Sequence, residues 1–293
     1  MRAGWRKPLK RAPMPLTEGQ VAVLGVLASA RSPDSYVAGS TPLNRDASRY
    51  SVDIDIFHDE AERVAAAATT DQALLAEAGL ATRWIRRLPS VQTLEVVVEG
   101  EHVRLDWVAD SDFRFFPASP DPTFGYVLHP VDLALNKVLA AAGRREARDL
   151  LDLLTVHERI LPLGALVWAA VEKAPGFSPE SLIAEVRRNL NLPAAEWRAI
   201  DSLEPVDPVL VTSKLRAALD DAEAFVGAMP TAAAGLLFIE ADGRVVQPEL
   251  ARLESYAKHP GMRRGHWPQN PAIAAAMLEA ALGRQNENAP PRI

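Results

Sequence analysis

VAGSTPLNRDASRYSVDIDIF, residues 37–57, is the stretch from which the rest of the chain is read. Its last six residues, Val52-Asp53-Ile54-Asp55-Ile56-Phe57, alternate in polarity and predict a β-strand. A side-chain period of two places Asp53, Asp55 and Phe57 on one face, and Val52, Ile54 and Ile56 on the other. Two carboxylates side by side on an otherwise apolar strand repel each other. A divalent cation relieves that repulsion, and hard oxygen ligands suit Mg²⁺, with Mn²⁺ as the substitute. Upstream, Tyr36-Val37-Ala38 predicts a short strand that ends in Gly39-Ser40. Glycine lets the backbone approach a phosphate closely. The serine hydroxyl and the N–H groups of a following short helix can hold its oxygens.

The chain has 293 residues, enough for a sizeable core in one or two domains. Its net charge of −6 does not advertise a nucleic-acid partner for the molecule as a whole, although it leaves room for a local basic patch. The absence of cysteine excludes disulfides, cysteine-ligated zinc and thiol catalysis, and fits a reducing, cytoplasmic setting. Residues 1–16 carry Arg2, Arg6, Lys7, Lys10 and Arg11 and read as a basic disordered tail. The apolar run over 21–30, ending Ala28-Ser29-Ala30, has the look of a secretory signal. Pro13, Pro15, Glu18 and Gln20 interrupt that pattern, so the preferred reading is a core helix over 17–31 with Thr17 as its N-cap. No apolar run reaches the ~18 residues that a membrane span needs.

Further along, Asp59 is expected to cap a helix over 60–68, and a second helix over 71–78 is expected to stop at Gly79. Strands follow over 81–88, 91–98 and 101–108, the last two joined as a hairpin at Glu99-Gly100. In 101–108, Val103, Leu105 and Trp107 share the apolar face, so Asp106 joins His102 and Arg104 on the polar one. The Pro- and Asp-rich segment 110–121 marks a boundary. It is expected to separate a core of 17–128 from a helical portion of 129–285 with one β-hairpin, followed by a disordered tail over 286–293. His129-Pro130 opens a helix that Gly143 stops. Its one charged residue after Asp132 is Lys137, which either snorkels to solvent or points into a cleft. A helix over 144–159 puts Asp149 and Asp152 on one face, with Arg148 in reach of Asp152. Helices are expected over 164–172, 179–190, 193–200, 208–229 and 271–282. A hairpin over 235–247 with a type I′ turn at Asp242-Gly243 and a basic loop over 258–267 complete the chain.

Gly39-Ser40 followed by Asp53-x-Asp55 resembles the signature of the DNA polymerase beta-like nucleotidyltransferase superfamily. LALNKVLAAAGRREARDLLDL, residues 133–153, and SRYSVDIDIF, residues 48–57, are similar to two segments of the AbiEii/AbiGii toxin family within it. The resemblance covers about residues 36–154. It implies an α+β fold, a nucleotidyltransferase core with a mixed sheet flanked by helices, followed by a mainly helical C-terminal portion. It also implies transfer of a nucleoside monophosphate from an NTP to an acceptor hydroxyl. In that scheme Asp53, Asp55 and Asp106 hold Mg²⁺, and Gly39 and Ser40 hold a phosphate. Lys137 meets the triphosphate, and Asp149 and Asp152 orient Lys137 or the acceptor. The partners implied are an NTP, an RNA or tRNA acceptor and, for a toxin, a cognate antitoxin protein. For an RNA acceptor the candidate contacts are Arg144, Arg145 and Arg148. Two alternatives stand beside this reading. One is a small cationic acceptor, as in aminoglycoside nucleotidyltransferases, met by Asp110, Asp112 and Asp121. The other is a catalytically silent member that only binds nucleotide or a partner.

Overall fold

The computed structural model describes residues 15–263 apart from 46, 111, 112 and 175. Residues 1–14, the end of the basic loop, the helix expected over 271–282 and the tail over 286–293 lie outside the described residues. In chain order the first elements are α1 (Glu18–Leu27), β1 (Ser35–Ala38), α2 (Ser40–Leu43), β2 (Asp53–His58), α3 (Ala61–Glu77), β3 (Ala81–Leu88), β4 (Val91–Val98) and β5 (Glu101–Ala109). Three short strands, β6 (Phe113–Arg114), β7 (Ser119–Asp121) and β8 (Gly125–Val127), lead into α4 (Pro130–Gly143), α5 (Ala147–Arg159), α6 (Leu163–Lys173), α7 (Pro179–Asn189), α8 (Ala194–Arg198) and α9 (Pro208–Ala228). Last come β9 (Leu236–Ile239), β10 (Val245–Val246), β11 (Ala257–Pro260) and β12 (Met262–Arg263).

Seven strands form one mixed sheet in the order β3-β4-β5-β2-β1-β8-β7. The β2–β5 and β1–β8 pairs are parallel and the others antiparallel. The alternation of β2 is realised as expected: Ile54 and Ile56 are buried, while Asp53, Asp55 and Phe57 face the other side. Leu94, Val96, Val103, Leu105 and Trp107 extend the apolar face, and α1 and α3 cover it. Asp71 of α3 accepts from the buried Arg31 guanidinium and from the Trp107 indole N–H at 2.7 Å, which ties that helix to β5. The helices after residue 130 build a second apolar cluster around Leu135, Leu153, Leu166, Trp168 and Leu219. They meet the sheet through α2–α5 contacts and through Asp132, whose carboxylate accepts the Phe115 and Phe116 N–H groups at 2.7 and 2.9 Å.

Local chemistry accounts for most boundaries. Thr17 and Gln20 form a capping box at the start of α1. The buried side of α1 is Gln20, Val23, Leu24 and Leu27, with Val21 left half exposed instead of inside. At the Glu99-Gly100 turn both residues have positive φ, 50° and 90°, as a two-residue type I′ hairpin requires.

Several expectations are corrected. Residues 61–77 form one helix and not two, because the Thr69 and Thr70 hydroxyls bond back to Ala65 and Ala66 O and leave the backbone ladder intact. The N-cap of α3 is Glu60 and not Asp59, which pairs with the buried Arg114 guanidinium at 2.9 Å. The 110–121 segment is not only a loop, since it contains β6 and β7, and β7 joins the main sheet through β8. Hairpin β9–β10 exists, but its turn is not type I′: among the described residues the only non-glycine with positive φ is Glu99, so Asp242 cannot supply the required conformation. Gly243 alone does, at φ 87°. Residues 258–260, read as the start of a loop, belong to β11, a third strand against β9.

Candidate active site

The site grows from the β1–α2 turn and the two parallel strands beside it. Gly39 adopts φ 70°, and a Cβ built on it would lie 1.8 Å from Asp55 Oδ2. Only glycine lets β1 deliver the chain into α2 this close to the carboxylate. Register then places Asp55 directly opposite Asp106 on β5, both on the polar face. Carboxylate oxygens of Asp53, Asp55 and Asp106 lie within 4.8 Å of one another, a spacing that suits a shared cation. Asp106 is oriented by Thr93 Oγ1, which donates at 2.5 Å, and by Arg104 Nε at 2.8 Å. Thr93 was not singled out in the sequence, because it reaches Asp106 across strands from β4, whereas Arg104 stands two residues before Asp106 on the same face of β5.

The electrostatics match a cation-binding set. Burial pushes the Asp55 carboxyl up to about 7, and the neighbouring Asp53 and Asp106 charges push it the same way against the pull of Lys137 and Arg144. An acid raised from 3.8 to about 7 keeps, in the folded state, a proton that the unfolded chain has lost. Stability from this group is therefore full near pH 4 and falls as pH rises towards 7. Asp132, raised to about 6 by burial, has the same sign. The expected result is a Mg²⁺-induced rise in melting temperature that is smallest near pH 4 and grows towards pH 7, a difference from which the opposite-signed contributions of His58 and His129, lowered by burial to about 4, cancel. Thermal melts in chelator and in Mg²⁺ across that range check it, and an unchanged slope would count against Asp55 as a ligand.

Opposite the carboxylates stands α4. Lys137 does not snorkel. It is buried, and its Nζ donates to Ser40 Oγ at 2.8 Å and lies 2.7 Å from Asp152 Oδ2. An ammonium has three N–H donors, so one remains for the cleft. The Ser40 hydroxyl donates its one proton to Asp152 at 3.0 Å. It can reach a phosphate oxygen only by giving up that bond, so Ser40 sits in this structure as a bridge between Lys137 and Asp152. Asp152 is fully buried and also accepts two bonds from Arg49, at 2.9 and 2.8 Å, and one from Asn44 at 3.1 Å. Burial alone would raise its pKa, but Lys137 and Arg49 outweigh that and hold the carboxyl below its ordinary value.

Asp149 and Asp152 part company. Asp149 holds Arg144, whose Nε and terminal N–H donate at 2.5 and 2.9 Å. Arg148, expected to reach Asp152, pairs with Glu146 at 2.5 Å instead, since Arg49 already occupies both oxygens of Asp152. The Arg49 role went unread in sequence; its only signal is its place four residues before Asp53 in the segment that carries the resemblance. Gly39, Ser40, Asp53, Asp55, Asn136, Lys137, Arg144 and Arg148 line one cleft of about 520 Å³. Among the described residues no helix is long and apolar enough to cross a membrane.

The mixed sheet thus carries three clustered carboxylates on two neighbouring parallel strands, with a Gly-Ser turn beside them. Among solved structures the chain is similar to MenT4, a nucleotidyltransferase toxin from Mycobacterium tuberculosis H37Rv, with a TM-score of 0.50 and 14% identity over 73% of this chain and 83% of that one. At that identity the likeness establishes the fold. A second match, to Cid1, an RNA terminal uridylyl transferase, has a TM-score of 0.28 and 11% identity over 83% of this chain and 71% of the other, and carries no argument. No protein-family model matches the sequence, and no curated protein does.

Proposed function

We propose that the protein is a metal-dependent nucleotidyltransferase that moves a nucleoside monophosphate from an NTP to an acceptor hydroxyl and releases pyrophosphate. The observation that carries this reading is Lys137 sharing one cleft with Asp53 and Asp55, whose carboxylates cluster with that of Asp106 within 4.8 Å. The carboxylates would hold Mg²⁺, which supplies charge neutralisation at the triphosphate and a lowered pKa for the acceptor hydroxyl. Lys137 offers its remaining N–H to the triphosphate, and Arg144 and Arg148, paired with Asp149 and Glu146, line the same wall. Asp106, held by Thr93 and Arg104, is fixed beside the place where the acceptor proton leaves.

For the acceptor we favour RNA, with the AbiEii/AbiGii-type toxin role and a separate antitoxin as the biological setting. The cationic small-molecule alternative is weakened by the state of its acidic residues. Asp121 is bound to Arg45 at 2.6 Å, and Asp110 accepts from Tyr36 and lies 3.4 Å from Lys173. Asp112 lies outside the described residues. Incubation with each labelled NTP, Mg²⁺ and total RNA tests the reading. Label that enters RNA with one NTP supports it. Label that enters no RNA but does enter a small hydroxyl compound would move the small-molecule acceptor ahead.

Lys137→Met gives a sharper check. A buried ammonium without a partner would cost stability, so its removal would raise the melting point. With Asp152 as its partner the sign is the opposite, because the substitution removes one of the two cations that compensate a buried carboxylate. The variant should stay folded, melt lower than the parent and show a raised KM for NTP or a reduced kcat. Unchanged kinetics would remove Lys137 from the site.

A further inference from the structure

The lining of the cleft comes from Gly39, α2, β2, Asp110, α4 and α5, with nothing from β3 or β4. The sheet nevertheless continues past the carboxylates. Register runs Asp55, Asp106, Thr93, Arg86 across β2, β5, β4 and β3, and Asp53, Arg104, Glu95, Arg83 in the next row. Directly paired residues share a sheet face, so these side chains stand on the same side as the carboxylates. The opposite side is the apolar one that α1 and α3 cover. On the polar side Arg83, Arg86, His102 and Arg104 are exposed, the Arg83 side chain to 71%. The acidic groups between them are already answered: Glu95 by Arg83 and His102, and Asp106 by Arg104. Arg86 has no ion-pair partner among the described residues. A chain of net charge −6 thus presents a strip of arginines that starts at the metal-type site and ends at a sheet edge, three strand spacings or roughly 14 Å away.

We propose that this open face of β5, β4 and β3 is the track on which a single-stranded nucleic-acid acceptor lies. Its phosphates are met by Arg104, Arg86 and Arg83, and its reactive hydroxyl is delivered to the carboxylates. Two features select this occupant. Its three arginines outnumber by one, Arg86, the two carboxylates they answer, Glu95 and Asp106, and Asp106 joins the strip to the carboxylate cluster where the acceptor hydroxyl must arrive. The identity of the strand as the acceptor rests on the nucleotidyl-transfer reading; its binding does not.

The test measures binding of a fluorescently labelled single-stranded RNA oligonucleotide by anisotropy at several salt concentrations. The proteins are the parent, Arg83→Ala with Arg86→Ala, and the charge-reversed Arg83→Glu with Arg86→Glu. Both arginines are exposed, so the variants should melt like the parent. The alanine pair should bind RNA about tenfold more weakly, with a log–log salt dependence shallower by about 1.4, two contacts at ~0.7 each. The charge-reversed pair should bind more weakly still. Mg²⁺-dependent binding of a fluorescent ATP analogue should be unchanged in both. RNA binding and salt slope equal to the parent in both variants would overturn the track. A parent that binds no RNA would do the same. A strip that holds polyglutamate and not RNA would also overturn it, in favour of an acidic protein partner. A parent that binds RNA on this face but no nucleotide would leave the track standing and sink the transferase reading.

Discussion

Asp53→Asn should abolish nucleotide transfer while leaving the fold as stable as before, or more so. The carboxylate oxygens of Asp53, Asp55 and Asp106 converge within 4.8 Å. Asp53 is also one of the charges that push the Asp55 carboxyl up to about 7. Neutralising it relieves that repulsion, so metal-free protein loses nothing by the change. What is lost is one oxygen ligand. Metal assistance in phosphoryl transfer is worth several kcal/mol, so activity should fall by about three orders of magnitude. The measurement is transfer of label from NTP at saturating Mg²⁺, beside thermal melts in chelator. A variant with parental activity would remove Asp53 from the site. A variant that is inactive only because it has unfolded would contradict the stability half of the argument.

The largest stability effect is expected at Asp152. Five hydrogen-bonding or ionic contacts from Ser40, Asn44, Arg49 and Lys137 converge on this fully buried carboxylate. Asp152→Asn keeps the shape but leaves the Arg49 guanidinium and the Lys137 ammonium facing each other without an anion. Removing one member of a buried ion pair costs about 3–5 kcal/mol. For a chain of this size that lowers the melting temperature by roughly 10 °C. Adding Arg49→Gln should recover part of the loss, since it withdraws one of the stranded cations; a double-mutant cycle on melting curves measures the recovery. Additive losses in the double variant would show that Arg49 and Asp152 do not act as a unit. Transfer activity should fall in both, because Lys137 then lacks the anchor that aims it at the cleft.

The Asp152 cluster also explains why a lysine sits in an Ala/Leu-rich helix. In sequence, Lys137 is a charge where none is expected, and the choice between snorkelling and a cleft turns on what faces it. That partner is fifteen residues downstream on the next helix, with a second cation from a loop before β2. Charged residues of this kind are read reliably only once their partners are known. A buried ammonium and a solvated one have the same sequence pattern.

What the residues determined by themselves were the local periodicities and the conformations that chemistry restricts. The alternation in 52–57 and 101–108 was enough to put Asp53, Asp55 and Asp106 on polar strand faces, because a two-residue period leaves no other choice once Ile54, Ile56, Leu105 and Trp107 go inside. Thr17, Gly39, Glu99-Gly100, Pro130 and Gly143 marked their caps and turns for equally local reasons. Tertiary structure decided which of these pieces meet. The parallel pairing of β2 with β5 sets Asp55 opposite Asp106, a register that no local pattern encodes. It merged two expected helices into α3, which carries Asp71 to its buried partners Arg31 and Trp107. It gave Asp152 to Lys137 and Arg49, and Asp149 to Arg144, although the two acids look interchangeable on one helix face. Local conformation follows from sterics and side-chain period within a few residues. Partner choice follows from which groups are desolvated together, and that is known only when distant segments have packed.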